Sequence, residues 1–287
     1  MLLDQAIATF RDYMIMIDRS QSTVTGYTRE LAKLNEFLQQ KHNGLVYLED
    51  IVLQDLEDFM LREKEKGLSS ASRSSTLYTL RSFYNYACKK ELCKKNFAVL
   101  LEPVKVQQKE RDYLTEQEFE ELTQAIKQPV VRTMVKTMFY TGGRITEMVK
   151  LKMEDVDLDK NVLHIIKGKG NKDRDIPISL KLHQILVHYL KHIRQPEKPT
   201  DRFFTTVTTG QVSNNYVNEC IRDGVRKLGW KRDISAHVLR HSFSSNLLAK
   251  GASVVSIQKL LGHSSLAVTT RYLHQDQDTL SAAVNLL

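Results

Sequence analysis

Apolar residues in the first hundred positions recur every three or four residues, a spacing that places them on one face of a helix. Ser22 or Thr23 is placed to cap the second such segment, and Gly67 is placed to end the third. The predicted helices span residues 2–17, 23–40, 53–66 and 70–90. This pattern predicts a domain of four or five helices.

The stretch between Glu102 and Tyr113 contains a proline, mixed charges and little apolar periodicity, which is typical of a linker. A chain of 287 residues also exceeds the usual size of one domain. We therefore expect a helical domain at residues 1–105, a linker at 106–112 and a second domain at 113–287.

The second domain opens with Thr115 and Glu118 at the spacing of a capping box. Further helical patterns cover residues 130–140, 145–151, 180–192, 212–228, 236–250, 254–261 and 266–273, with an apolar-patterned tail at 280–287. Residues 162–166 and 175–178 instead predict two strands of a hairpin. The predicted fold class is mainly α, with a small antiparallel β-sheet in the second domain.

The composition, with 41% apolar and 26% charged residues, is that of a globular protein. Apolar runs are short and the amino terminus does not resemble a secretory signal, so we expect a cytoplasmic protein without membrane spans. The three cysteines form no CxxC pair, which favours reduced thiols over a disulfide framework or a zinc site.

The net charge of +8 is unevenly distributed, because residues 1–60 carry 5 basic and 10 acidic side chains and residues 61–105 carry 10 and 4. This distribution favours a polyanionic partner. The fourth predicted helix mixes hydroxyl groups with four basic residues: Arg73, Arg81, Lys89 and Lys90. These groups suit phosphate contacts, and a solvated face beside an apolar core is an equally weighted alternative.

Phosphate-loop, dinucleotide, zinc-protease and serine-hydrolase motifs are absent from the sequence. His188 and His192 are four residues apart, but no acidic or cysteine residue stands at matching spacing, so a solvated helix face is favoured over a metal site.

Arg144 and Glu147, in TGGRITEMVKL, are three residues apart and share a helical face. We expect the carboxylate to orient the guanidinium in a bidentate pair, with an ordinary surface ion pair as the alternative. His237 and Arg240 are spaced in the same way, which places a proton-transfer group beside a two-pronged cationic donor. Such a pair suits a phosphodiester.

His263 and Tyr272 are nine residues apart and would lie on opposite sides of a continuous helix. Gly262 is expected to end one helix, and Ser264 or Ser265 can cap another. A bend there would bring the imidazole and the phenol toward one point.

The second domain resembles the catalytic domain of the tyrosine recombinase (phage integrase) family, in its Xer-like branch. The family's arginine after a TG motif matches Arg144, its HxxR motif matches His237 to Arg240, and its LGH motif and tyrosine match His263 and Tyr272. Its hairpin lysine matches Lys169 in GKGNK, although Lys167 and Lys172 are neighbours. The first domain resembles, more weakly, the family's helical core-binding (SAM-like) domain, which closes over the opposite face of the DNA.

One departure from the family pattern is Gly143, where a larger apolar residue is common. We expect looser packing around it. No catalytic group is lost by this difference.

The resemblance implies a site-specific recombinase that cleaves and rejoins DNA through a 3′-phosphotyrosyl bond to Tyr272, with His237 as base and Lys169 as acid. It implies no cofactor and no metal. The implied partner is a double-stranded recombination site, bound by a homotetramer on two duplexes, with the tail after Tyr272 packed into a neighbour or onto its own domain.

A type IB topoisomerase and a noncatalytic DNA-binding protein are the alternatives. Chromosome dimer resolution, transposon cointegrate resolution and integration or excision of a mobile element stay open as biological roles.

Overall fold

The computed structural model describes residues 1–106, 112–166 and 173–262. The chain divides into two compact units, Met1–Lys109 and Glu110–Leu287, each with its own apolar core. The expected linker at residues 106–112 lies almost wholly outside the described residues. No helix in the described ranges is long and apolar enough to cross a membrane.

The described part of the first unit contains four α-helices that follow the predicted pattern within a few residues. They are α1 (Leu3–Met16), α2 (Gln21–His42), α3 (Leu53–Glu65) and α4 (Ser70–Lys89). The predicted cap of α2 was wrong: the N-cap is Ser20, whose hydroxyl accepts a hydrogen bond from the Thr23 backbone over 3.3 Å. Gly67 follows α3 in the left-handed region, with φ +81°, as its predicted role at the helix end requires.

The core of the first unit is built from the apolar faces of these helices. Leu31, Leu34 and Leu38 of α2 are fully buried, and Phe10 of α1 meets Phe83 of α4 edge to face with 5.6 Å between ring centroids. Each such side chain contributes roughly 1.5–3 kcal/mol when it leaves water. Cys88 and Cys93, beside this core, are free thiols with 3.1 Å between their sulfur atoms.

Two of the four basic residues in the α4 region bind the backbone of their own unit. Arg81 donates to the carbonyl oxygens of Ala98 and Leu101 over 3.2 and 2.7 Å, and Arg73 donates to that of Leu68 over 3.3 Å. Lys89 and Lys90 are exposed. The lysines therefore remain the better candidates for phosphate contacts.

The second unit is mainly helical, as predicted. Its described helices are α5 (Glu116–Ala125), α6 (Pro129–Thr141), α7 (Ile145–Lys150), α8 (Leu180–His192), α9 (Asn214–Lys227), α10 (Ala236–Ala249) and α11 (Val254–Leu261). The capping box at α5 is confirmed, because the Glu118 carboxylate accepts from the Thr115 backbone over 2.9 Å and the Thr115 hydroxyl accepts from the Glu118 backbone over 3.3 Å.

The predicted hairpin is confirmed as the strands β2 (Val162–Ile165) and β3 (Arg174–Pro177) of an antiparallel sheet. A two-residue strand that the sequence did not reveal, β1 (Val156–Asp157), pairs with the other edge of β2. Ile165 pairs with Arg174, and Ile176 is buried. Because side chains alternate along a strand, Arg174 lies on the same inward face as Ile176.

Two apolar clusters position α10 and α11. The main core of the unit includes stacked rings of Phe119 and Phe139, 3.7 Å apart, which join α5 to α6. A smaller cluster of Phe243, Ile257 and Leu261 packs α11 against α10. This packing brings the carboxyl end of α11 to the site described next.

Candidate active site

Arg144 stands at the N-cap of α7, and Glu147 occupies the third helical position. The Glu147 carboxylate accepts a hydrogen bond from the Arg144 backbone over 2.8 Å, and the Arg144 guanidinium donates to its other oxygen over 2.7 Å. The Glu147 side chain is only 7% exposed, whereas that of Arg144 is 22% exposed. The carboxylate therefore orients a guanidinium that stays accessible to a ligand.

The bidentate partner of Glu147 is Arg174, not Arg144 as the spacing led us to expect. Arg174 donates from Nη1 and Nη2 to the two carboxylate oxygens over 2.9 and 2.7 Å, and from Nε to the Leu260 carbonyl over 3.1 Å. The prediction was wrong because the capping geometry of α7 turns one oxygen of Glu147 toward the Arg144 backbone.

Burial by itself would raise the pKa of Glu147. The hydrogen bonds from Arg174 and from the Arg144 backbone, together with the positive charge of Arg174 and the hydrogen bond from the Arg144 side chain, outweigh burial and lower that pKa to about 2. Glu147 is therefore ionised at neutral pH, and it remains an acceptor for both arginines.

Arg240, on α10, is buried with 3% of its surface exposed. Its Nη1 donates to the Gly142 carbonyl and its Nη2 to the Leu261 carbonyl, each over 2.6 Å. These carbonyls stand at the carboxyl ends of α6 and α11, where unpaired oxygens and helix dipoles favour a cation. This surrounding stabilises a charge that would be costly to bury unpaired.

Two glycines stand at the helix ends that Arg240 and Arg174 bind. Gly142 ends α6 with φ +65°, and a Cβ there would lie 2.5 Å from Phe243. Gly262 ends α11 with φ +63°, as predicted, and a Cβ there would lie 2.9 Å from the Arg174 side chain. A side chain at either position would be strained by the backbone and would push on the site.

The looser packing expected at Gly143 is not found. The fully buried Met148 side chain fills the space, with its methyl group 2.5 Å from where a Cβ of residue 143 would lie. Met148, in the first turn of α7, therefore occupies the space that a side chain at position 143 would fill.

The structure describes three of the six residues that the sequence singled out: Arg144, His237 and Arg240. Gly142 and Gly143 directly precede Arg144, so the Arg240 bond to Gly142 ties the two arginines to one turn. His237 is exposed near the amino end of α10, one turn before Arg240. Lys169, His263 and Tyr272 lie outside the described residues.

Arg174 is the site residue that sequence reasoning missed. The available signal was its alternation with Ile176 and Ile178, which places an arginine on the inward face of a strand. A cation at an inward position needs a buried anion, and Glu147 was already a candidate.

The described ranges contain no group of three or more His, Cys, Asp or Glu side chains arranged to hold a metal ion. The rings of His188 and His192 are 4.9 Å apart on α8, without a third ligand in that part of the chain.

Two family profiles match the chain. The profile of the phage integrase family matches residues 112–279, and that of the phage integrase N-terminal SAM-like domain matches residues 7–91.

Curated relatives match along almost the whole chain. The tyrosine recombinase XerC of Bacillus licheniformis is 30% identical over 285 residues, covering 96% of this chain and 93% of its own length. The tyrosine recombinase XerD of Staphylococcus epidermidis is 29% identical over 266 residues, covering 89% of this chain and 88% of its own length.

Solved structures share the fold. The Tn1549 transposon integrase in complex with a circular intermediate DNA superposes with a TM-score of 0.81 at 20% identity and covers 100% of both chains. A lambda integrase dimer bound to a COC′ core site gives a TM-score of 0.81 at 18% identity, covering 96% of this chain and 98% of that one.

The helical fold with its small sheet is thus one that these integrases share. The chain belongs to the phage integrase family and is a tyrosine site-specific recombinase, an enzyme that cleaves and rejoins DNA.

Proposed function

We propose that the scissile phosphate binds at Arg144 and Arg240 and that Tyr272 attacks it. The observation that carries this proposal is the placement of two arginines, from α7 and α10, around the single turn at residues 142–144. The complete proposed set is Arg144, Lys169, His237, Arg240, His263 and Tyr272.

The arginines would neutralise the negative charge that makes a phosphodiester resistant to attack. Its own negative charge repels a nucleophile, and attack adds charge to the nonbridging oxygens. A rigid guanidinium meets that charge with two parallel hydrogen bonds, and each positioned donor of this kind is worth about 3–4 kcal/mol in a transition state. His263 adds one further hydrogen bond.

The proton transfers follow from the chemistry of the bond. A tyrosine with an unperturbed pKa near 10 must lose its proton as it attacks, and His237 accepts it. The bond to the 5′ oxygen breaks as the bond from Tyr272 to phosphorus forms, and Lys169 protonates that oxygen as it leaves. The products are a 3′-phosphotyrosyl linkage and a free 5′ hydroxyl.

The phosphotyrosyl linkage conserves the energy of the broken phosphodiester. A 5′ hydroxyl from another strand reverses the chemistry with no ATP and no metal. Cleavage of a duplex by the pure protein should therefore be unchanged by excess chelator, and loss of cleavage would contradict this step.

We further propose that the active assembly is a homotetramer on two DNA duplexes in the cytoplasm. A lambda integrase tetramer bound to a Holliday junction shares this fold, with a TM-score of 0.78 at 18% identity. The tail after Tyr272 carries an apolar pattern formed by Leu280, Val284, Leu286 and Leu287. Deleting the residues after Gln277 should weaken tetramer formation on DNA, whereas an unchanged tetramer would contradict packing of the tail in a neighbour.

Strand exchange separates this proposal from its alternatives. Binding sites would first be selected from random duplexes, and two direct copies would be placed in a supercoiled plasmid. Excision of the intervening DNA is the expected result. Relaxation without excision would indicate a topoisomerase, and specific binding without either product would indicate a noncatalytic DNA-binding protein.

A further inference from the structure

The Glu147 carboxylate is fully used as a hydrogen-bond acceptor. Its two oxygens offer about four acceptor positions. Arg174 fills two of them, the Arg144 backbone fills one and the Arg144 side chain fills the last. Arg174 takes one position on each oxygen, and the Arg144 backbone takes the second position on one of them. Only one position is left for the Arg144 side chain, so it cannot form a bidentate pair and its other guanidinium donors do not bind this carboxylate.

The charges of this cluster lead to the same conclusion. Arg144 and Glu147 alone would form a neutral pair, in which the residue that orients Arg144 also cancels its charge. The buried Arg174, 9% exposed, restores one net positive charge beside the accessible guanidinium. A phosphate bound at Arg144 would then face a cluster with a net positive charge, whereas Arg144 and Glu147 alone would be neutral.

Arg174 also joins three separate elements. It extends from β3, binds Glu147 of α7 and donates to the Leu260 carbonyl in the last turn of α11. The next carbonyl, that of Leu261, receives Arg240. The two arginines therefore bind adjacent carbonyls of the same helix end.

We propose that Arg174 is a positioning residue of the recombinase, which holds Glu147 in a geometry that orients Arg144 and leaves it positively charged toward the scissile phosphate. This inference rests on the proposed function, since it assigns Arg174 a role that acts through Arg144. Arg174 itself is not expected to touch the DNA.

The test compares Arg174→Met, Glu147→Gln and the double variant in single-turnover cleavage of a nicked site. We expect Arg174→Met to cleave about a hundredfold more slowly, the loss that misplacement of a catalytic group by about 1 Å can cause, with little change in site affinity. The double variant removes one charge of each sign, so it should cleave faster than Arg174→Met alone. A double variant that cleaves no faster than Arg174→Met would contradict this role.

Arg194→Met is the matched control, because Arg194 also donates to backbone carbonyls, those of Thr200, Arg202 and Phe203. It should lower the midpoint of thermal unfolding without slowing cleavage at low temperature. If Arg174→Met does not fold, Arg174→Lys serves instead: it keeps the charge, loses the bidentate bond and should cleave at an intermediate rate.

A crystal structure of Arg174→Met decides the positioning role without any DNA chemistry. The expected result is that Arg144 turns inward to form a bidentate pair with Glu147. An Arg144 side chain that keeps its single 2.7 Å bond to Glu147 would overturn the inference. If the native chain fails to cleave any selected site, the proposed function fails, and this structure still decides whether Arg174 positions Arg144.

Discussion

Arg240 binds the carbonyl oxygen of Gly142 over 2.6 Å, so the cap of one helix serves as the anchor of a buried cation. The same guanidinium binds the last residue of α11. The two helix ends would carry unsatisfied carbonyls without Arg240, and Arg240 would carry an uncompensated charge without them. The stability of this region and the orientation of the candidate catalytic arginine are therefore coupled.

The first prediction concerns Gly142→Ala. Its left-handed backbone, φ +65°, costs a side chain about 1–2 kcal/mol, and the contact with Phe243 at 2.5 Å should add about 1–3 kcal/mol. Gly229→Ala is the matched control, since φ is +68° and nothing lies within 4 Å of the added Cβ. Urea unfolding should show a larger loss for Gly142→Ala, and equal losses would contradict the close packing.

The second prediction distinguishes the two arginines by stability. Arg240→Lys cannot reach both helix ends with one ammonium group, so it should lower the free energy of unfolding by roughly 1–3 kcal/mol and abolish cleavage. Arg144→Lys should also abolish cleavage but cost less stability, because Arg144 is more exposed than the buried Arg240 and makes one side-chain bond to Glu147. Similar losses of stability in both variants would contradict the structural role of Arg240.

The third prediction follows from the pKa of Glu147, which falls from 4.5 to about 2 on folding. A lowered pKa stabilises the folded state above pH 4.5, and that contribution, roughly 3 kcal/mol in full, is lost as the pH falls toward 2. The difference in unfolding free energy between the native chain and Glu147→Gln should therefore shrink by about 1.4 kcal/mol per pH unit below 4.5.

Comparing the two chains at each pH cancels the effects of the other acidic groups. Unfolding by urea from pH 7 to pH 3.5 gives the required values. A difference that stays constant over this range would mean that Glu147 is not held by the arginines.

The fourth prediction concerns two basic residues of α4, Arg81 and Lys89, and distinguishes a role in stability from a role in DNA binding. Arg81 binds two carbonyls of its own unit, so Arg81→Met should lower the stability of that unit. Lys89 is exposed, and Lys89→Met should leave stability unchanged. If Lys89 contacts a phosphate, its loss weakens DNA binding and reduces the slope of log affinity against log salt by about one. An unchanged slope would exclude that contact.

The helices were predictable because each carries a local signal: a three-to-four-residue apolar repeat and, for α5, a capping box. The hairpin strands were predictable from the change in apolar periodicity. The strand β1 was not, because two residues show no periodicity. Nor was Ser20 as the cap of α2, because several hydroxyl residues adjoin it.

For the candidate site, the sequence predicted which residue types occur and their order along the chain, but not their contacts. Sequence spacing related Arg144 to Glu147, and strand alternation placed Arg174 on an inward face. Neither pattern showed that Arg174, 27 residues beyond Glu147, binds the same carboxylate. The hydrogen-bond partners of Arg240 could not be predicted from the sequence either. They are backbone carbonyl oxygens, which every residue type carries. Long-range contacts of this kind depend on how β3, α6 and α11 pack.

The most direct test is covalent capture of DNA by Tyr272. The native chain and Tyr272→Phe would be incubated with a labelled selected site, nicked near the cleavage point, and resolved by denaturing electrophoresis. The expected results are a slow labelled band for the native chain, a nucleotide-bearing peptide containing Tyr272 by mass spectrometry, and no band for Tyr272→Phe with site binding retained. A band that persists in Tyr272→Phe, or no band from a native chain that binds the site, would contradict it.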